Sequence, residues 1–136
     1  MQTPCLADRA TAGVKWRMAI EPDAAELERF RQDDDGRPVV LFQLLRFAQG
    51  GREKYLQYAN AAQPILVRLG AQVLYAGEPG TPLVGEAWDA IVIARYPTRS
   101  TYVEMQADPD YVKIVPLRRA ALREVLMVCT DDWPGR

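Results

Sequence analysis

Residues 39–47 read VVLFQLLRF, an almost wholly apolar run with one uncharged polar residue, Gln43, at its centre. The run is short, begins with two β-branched residues, and is bounded by Pro38 before it and Gly50 after it, which favours a buried strand over a helix. Apolar side chains occupy both parities of the run, so we expect both faces of this strand to be covered. An amide in such a strand needs a hydrogen-bonding partner or a ligand.

The composition bounds the fold and the partners. The chain has 136 residues, of which 49% are hydrophobic and 26% charged, which is enough for one core. We expect a tail over residues 1–20 and a single domain over residues 21–136. The net charge of -1 provides no field of one sign for nucleic acid or anionic lipid. With neither a signal peptide nor a transmembrane stretch in view, the sequence predicts no nucleic acid, no membrane and a cytoplasmic location.

The residues that carry most metal and acid–base chemistry are scarce. The chain has no histidine, which removes the commonest general base and the commonest metal ligand. Its two cysteines, Cys5 and Cys129, are far apart and lack ligand spacing. We therefore predict no metal, no cofactor and no disulfide, and we interpret Cys129 as an inert thiol in the core of an apolar strand.

Periodicity and turn signals divide the rest of the chain into alternating helices and strands. The predicted elements are a helix at 21–32, the strand at 39–47, a helix at 52–69, strands at 71–77 and 88–96, helical segments at 98–107 and 108–122, and a strand at 123–130. Pro64 should kink the second helix or split off its last turn, and Pro116 should divide the last helical segment into two short pieces. After an N-terminal helical extension, the order is βαββαβ.

Two βαβ halves in this order predict an α+β protein with the ferredoxin-like fold, in which a four-stranded antiparallel sheet carries its helices on one face. The other face would expose Ile91 and Ile93, and monomers rarely expose such residues as part of a contiguous patch. We therefore expect a homodimer formed through this face. A sheet that binds nucleic acid would instead show exposed aromatic residues flanked by basic ones.

Four ordered blocks resemble the domain-of-unknown-function family 1330, which belongs to the dimeric α/β barrel superfamily. The blocks are PVVLFQLLRF (38–47), GREKYLQYANAAQPILVRLGAQVLYAG (51–77), EAWDAIVIARYPT (86–98) and MQADPDYVKIVPLRRAAL (105–122). The resemblance implies a dimer whose sheets form a barrel, with a small molecule held between sheet and helices in each protomer. It implies no single reaction. The family usually has Asn where this chain has Gln43 and often has His where it has Leu117, so chemistry that uses this His is not open to this chain.

Five residues form the candidate ligand site. Gln43 of the first strand, and Trp88 and Tyr96 of the third, lie on the parity that faces the helices, and Tyr55 and Tyr58 lie on the apolar stripe of the long helix. Together they predict a cleft with apolar walls in which the amide orients a carbonyl or hydroxyl. The predicted ligand is a small hydrophobic or aromatic metabolite, which the protein binds or transforms without metal or cofactor.

A second interpretation is a non-catalytic dimeric module for assembly or sensing, with its cleft filled by its own side chains and Gln43 satisfied by a backbone group or water. The sequence identifies no catalytic residue and leaves open whether the protein is an enzyme. Glu86 and Asp89, which flank Trp88, are its only candidate general bases.

Three arginines are candidates for holding a ligand carboxylate, since a guanidinium keeps its charge and can donate to two oxygens at once. They are Arg46, Arg95 and Arg118. An arginine of this kind is more often a surface ion-pair partner.

Overall fold

Four helices and four strands occupy residues 19–133, the part of the chain that this computed structural model describes. In chain order they are α1 (Ala24–Gln32), β1 (Val39–Phe47), α2 (Gly51–Arg68), β2 (Gln72–Gly77), β3 (Ala90–Tyr96), α3 (Arg99–Ala107), α4 (Pro109–Ala121) and β4 (Leu122–Thr130). The strands form one antiparallel sheet in the order β2-β3-β1-β4. This is the ferredoxin-like α+β fold, as predicted. The tail expected over residues 1–20 lies almost wholly outside the described residues, and the division into tail and single domain stays a prediction.

β1 lies at the centre of the sheet and pairs with both β3 and β4. Gln43 sits opposite Val92 on one side and Met127 on the other. Its neighbours on the helix-facing parity, Val39 and Leu41 on one side and Leu45 on the other, are at most 4% exposed. The alternate residues of β1 are only partly buried. One chain therefore covers one face of β1, and the predicted cover of the other face by a second copy stays a prediction.

Helix starts follow capping chemistry. Asp23 caps α1 in a capping box with Glu26, so Asp23 precedes the helix and does not belong to its first turn as predicted. Thr98 caps α3 and Asp108 caps α4, whose first residue is proline.

The two internal prolines do not divide their helices. α2 continues through Pro64 to Arg68, and α4 is one helix of 13 residues that contains Pro116, which corrects the prediction of two short pieces. Each proline leaves the carbonyl four residues before it without an intrahelical donor. These carbonyls belong to Asn60 and Val112, and both residues and both prolines are exposed. Water can therefore replace the lost hydrogen bond.

Two further expectations are wrong. β3 begins at Ala90, two residues later than predicted, so Trp88 lies in the preceding loop. Cys129 is exposed and is not a core thiol. It pairs with the buried Leu41 and so has the helix-facing parity, but it lies near the end of edge strand β4, where residues 128–130 are all exposed.

The core consists of two clusters between the sheet and the helices. One contains Leu41, Tyr96 and Tyr111, and the other contains Leu45 and Ala121, each 0% exposed. Tyr58 packs against both clusters.

Among residues 19–133, no helix has the length and apolar character needed to cross a membrane.

Candidate functional site

A cleft of about 380 Å³ opens between α2 and the helix-facing side of the sheet. Small side chains leave this space open, because alanines face each other from α2 and from β2 and β3. These alanines are Ala59, Ala62, Ala76 and Ala94. β2 is an edge strand, and most of its residues are exposed. The cleft is therefore open to solvent along this edge.

Four of the five predicted site residues line this one cleft: Gln43, Tyr55, Tyr58 and Tyr96. Trp88 does not line it. The Trp88 ring lies outside β3 and stacks against the guanidinium of Arg46, whose Cζ is 3.9 Å from the ring centroid. Parity placed Trp88 on the cleft side only because the strand was expected to begin there. Ligand binding by the other four residues stays a prediction.

Two residues of α4 that the sequence analysis did not include in the site lie beside it. Tyr111 lines the cleft, and its hydroxyl oxygen is 2.7 Å from that of Tyr58. Arg118 lies two turns further along α4, behind Gln43. Seven residues separate Tyr111 from Arg118, which places both on one helical stripe. The expected break at Pro116 concealed that signal.

Arg118 fixes the orientation of the Gln43 amide. The Arg118 side chain is buried, and its Nη2 donates to Oε1 of Gln43 at 3.0 Å. A guanidinium can only donate, so Oε1 must face Arg118 and Nε2 must carry the remaining donors. Within residues 19–133, no group accepts a hydrogen bond from Nε2, and no buried side-chain nitrogen or oxygen lacks a partner. The Nε2 donors are therefore accessible from the cleft that Gln43 lines.

Tyr55, Tyr58 and Tyr96 of the cleft are protonated at neutral pH. Burial raises the pKa of Tyr55 and of Tyr96, and it raises that of Tyr58 well above the ordinary value, although nearby Arg118 acts in the opposite direction. Their hydroxyls therefore act as hydrogen-bonding groups and not as bases. Among the described lining residues, none is a carboxylate, an amine or a thiol.

The other charged residues that were predicted as ligand-binding arginines or general bases lie outside the cleft. Arg46 forms ion pairs with Glu86 and Glu124, at 2.8 and 2.5 Å, so it holds the loop before β3 against β4. Asp89 accepts a hydrogen bond from the backbone N–H of Phe47. Arg95 is exposed on the opposite face of the sheet. Of the three arginines, only Arg118 adjoins the cleft, and neither candidate base lines it.

No group of three or more Cys, Asp or Glu residues that could hold a metal ion occurs among residues 19–133. The prediction that the protein binds no metal remains a prediction. The free thiol of Cys129 lies outside the cleft, in a smaller apolar depression between α1 and β4.

We expect the buried tyrosines to resist ionisation. The pKa values of Tyr55, Tyr58, Tyr96 and Tyr102 are raised in the folded state, so the folded protein holds these protons more tightly than the unfolded chain, where the pKa is about 10. This contribution to stability is present below about pH 10 and is lost as the pH rises above it. In an alkaline titration followed by tyrosinate absorbance and circular dichroism, at most two of the six tyrosines should ionise before the helices are lost. Ionisation of four or more tyrosines in a protein whose dichroism is unchanged would contradict this. The urea-unfolded chain, in which all of them should ionise together, is the control.

Comparisons with known proteins agree with this architecture. The model of the DUF1330 family, a domain of unknown function, matches residues 44–131. The RPA0582 protein of Rhodopseudomonas palustris, also of unknown function, is 29% identical over 87% of this chain and 99% of that chain, with a TM-score of 0.78. Its methylated form gives 30% identity, 88% and 99% coverage, and the same TM-score.

Two more distant structures share the fold alone. A dimeric ferredoxin-like protein of unknown function from Bacteroides fragilis is 11% identical over 70% of this chain and 96% of that chain, with a TM-score of 0.53. An antibiotic biosynthesis monooxygenase-like protein from Bacteroides thetaiotaomicron is 16% identical over 74% and 94%, with a TM-score of 0.56. No curated protein matches the chain significantly. Because the family model covers more than half of the chain, the protein belongs to the DUF1330 family.

Proposed function

We propose that this protein is a homodimer in which each protomer binds a small, mainly apolar molecule, preferably aromatic, in the cleft between α2 and the sheet. The observation that carries the proposal is the open volume beside Gln43. The amide oxygen of Gln43 accepts a hydrogen bond from Arg118, whereas its amide nitrogen has no hydrogen-bond acceptor among residues 19–133. The alternative interpretation, a module whose cleft is filled by its own side chains, requires this region to be packed solid. A volume of about 380 Å³ lies in the range of small-molecule sites.

The chemistry of the walls favours a flat apolar ligand with one oxygen. Tyr55 and Tyr58 lie with ring centroids 5.3 Å apart, so they offer aromatic surface to a ring, while Leu66 and Met105 add aliphatic surface. The polar groups are few, which is typical of sites that orient a ligand. They include the Gln43 amide and the hydroxyls of Tyr58 and Tyr111.

Binding is the activity that this arrangement supports best. A catalytic proton transfer needs a group whose pKa lies near neutrality, and the described lining of the cleft holds only amides, phenols and apolar side chains. The similarity to the monooxygenase-like protein, at 16% identity, supports the fold and does not support a monooxygenase activity for this chain. We therefore assign no catalytic residue.

The proposed dimer interface is the open face of the sheet. The strand register aligns apolar side chains in two rows across this face. The first row contains Tyr75, Ile93, Phe42 and Val128, and the second contains Ile91, Leu44 and Leu126. Three of these side chains are 43% to 56% exposed in the single chain. Burial of such a patch by a second copy agrees with the dimeric state of the ferredoxin-like protein from Bacteroides fragilis.

Tyr58→Phe should weaken ligand binding without unfolding the protein. The first probes are 2-naphthol and 2-naphthamide, two neutral bicycles that each carry a polar group. Each should raise the melting temperature of the wild-type protein, because a ligand that binds only the folded state stabilises it. Loss of the Tyr58 hydroxyl removes a polar group from the cleft and should cost about 1 kcal/mol of binding free energy, measured by calorimetry. The matched control is Tyr102→Phe, since the Tyr102 hydroxyl lies 3.6 Å from the Met127 sulfur outside the cleft. Equal losses in both variants would count against the site.

Ile93→Asp should dissociate the dimer. A carboxylate in the centre of the first apolar row would be buried without a partner, at a cost of several kcal/mol. Sedimentation velocity should show monomers for Ile93→Asp and dimers for wild type. Val67→Asp is the control, because Val67 is an apolar residue of α2 that is 65% exposed and lies on neither the cleft nor the open face. An undisturbed dimer in Ile93→Asp would refute the proposed interface.

A further inference from the structure

We infer that the ligand of this cleft is an organic anion, namely an aromatic ring that bears a carboxylate or a comparable oxyanion, and that the buried guanidinium of Arg118 balances its charge. This inference rests on the proposed function, since it concerns the same cleft. It adds the charge of the ligand and the residue that selects it.

Arg118 is a buried cation whose direct partners are neutral. The residue is 4% exposed, and its guanidinium donates to the backbone oxygen of Ile20 at 2.6 Å and to the amide oxygen of Gln43 at 3.0 Å. A guanidinium does not lose its proton in a protein. Burial of a charge is costly unless an opposite charge compensates it.

The carboxylate that is close to Arg118 is shared. Glu21 lies 3.7 Å from Nη1 of Arg118, beyond direct hydrogen-bonding distance, while it accepts a hydrogen bond from Nε of Arg119 at 2.7 Å. Its side chain is also 27% exposed, so solvent weakens its field at Arg118. Among residues 19–133, one carboxylate thus serves two guanidiniums, and this group of three carries a net positive charge.

The positive charge reaches the cleft through Gln43. Arg118 lies behind the cleft wall, and its donation to Oε1 polarises the amide and makes the Nε2 donors stronger. The Tyr58–Tyr111 pair also offers a hydrogen-bond donor to a ligand in the cleft. Only one of the two hydroxyls can donate to the other, so the second keeps a proton to donate to a ligand. The polar groups of this part of the cleft therefore suit an oxyanion.

A cationic ligand would find the opposite situation. No carboxylate lines the cleft among the described residues, and the nearby guanidinium would repel an ammonium group. Neutral ligands would keep the contacts with the aromatic rings and lose the electrostatic attraction to Arg118. The inference therefore predicts an order of affinity in which the anion binds best and the cation worst.

Three probes that share the naphthalene ring test that order: 2-naphthoate, 2-naphthamide and 2-naphthylmethylammonium, each titrated calorimetrically into the full chain at neutral pH. We expect 2-naphthoate to bind at least about tenfold more tightly than 2-naphthamide, as a charge pair at this depth implies. No measurable binding is expected for the ammonium probe.

Gln43→Glu tests the role of Arg118. The new carboxylate can accept the same hydrogen bond from Arg118 and neutralise it, so this variant should fold, which circular dichroism checks. Its preference for 2-naphthoate over 2-naphthamide should disappear. Gln57→Glu makes the same change of net charge on the exposed side of α2, outside the cleft, and should keep the wild-type preference.

The outcomes separate this inference from the proposed function. If none of the three probes nor 2-naphthol binds, both are overturned. If 2-naphthamide binds as tightly as 2-naphthoate, the proposed function stands and the anion inference fails. The anion inference also fails if Gln43→Glu retains the wild-type preference.

Discussion

The hydrogen bond between the Arg118 guanidinium and the Gln43 amide is the interaction on which the site depends. It joins α4 to the central strand, and the same guanidinium holds the segment before α1 through the carbonyl of Ile20. Because arginine has donors only, this contact also decides which end of the amide is left for the cleft. A residue that looked like an anomaly in an apolar strand thus has a structural partner on one side and free donors on the other.

The space beside that amide has a simple origin. Alanines on α2, β2 and β3 face one another, and the edge strand β2 is left largely uncovered. The tyrosines surround this space without filling it, and their packing also extends into the two core clusters. Burial keeps the phenols of Tyr55, Tyr58 and Tyr96 protonated. The result is a cleft that suits recognition of a ring and an oxygen better than acid–base chemistry.

Local rules in the sequence predicted the fold and most of the cleft. Strand parity placed Gln43 and Tyr96 towards the helices, and helical spacing placed Tyr55 and Tyr58 opposite them, as observed. Parity failed at Trp88 because it applies only within a strand, and β3 starts at Ala90. Tyr111 was missed, and Arg118, named only as one of three candidates for a ligand carboxylate, was not placed beside Gln43, for a different reason. Helix continuity through Pro116 depends on solvent reaching the carbonyl of Val112, which is a property of the folded surface and not of the local sequence.

A crystal structure of the protein with 2-naphthoate is the most direct test of the central claim, that Arg118 holds Gln43 so that its amide nitrogen serves a ligand in the cleft. The account predicts electron density for the ring between α2 and the sheet, a carboxylate oxygen about 3 Å from Nε2 of Gln43, and an unchanged contact between Arg118 and Oε1. Density for the ligand at another place, or a Gln43 side chain turned away from Arg118 in the complex, would contradict it.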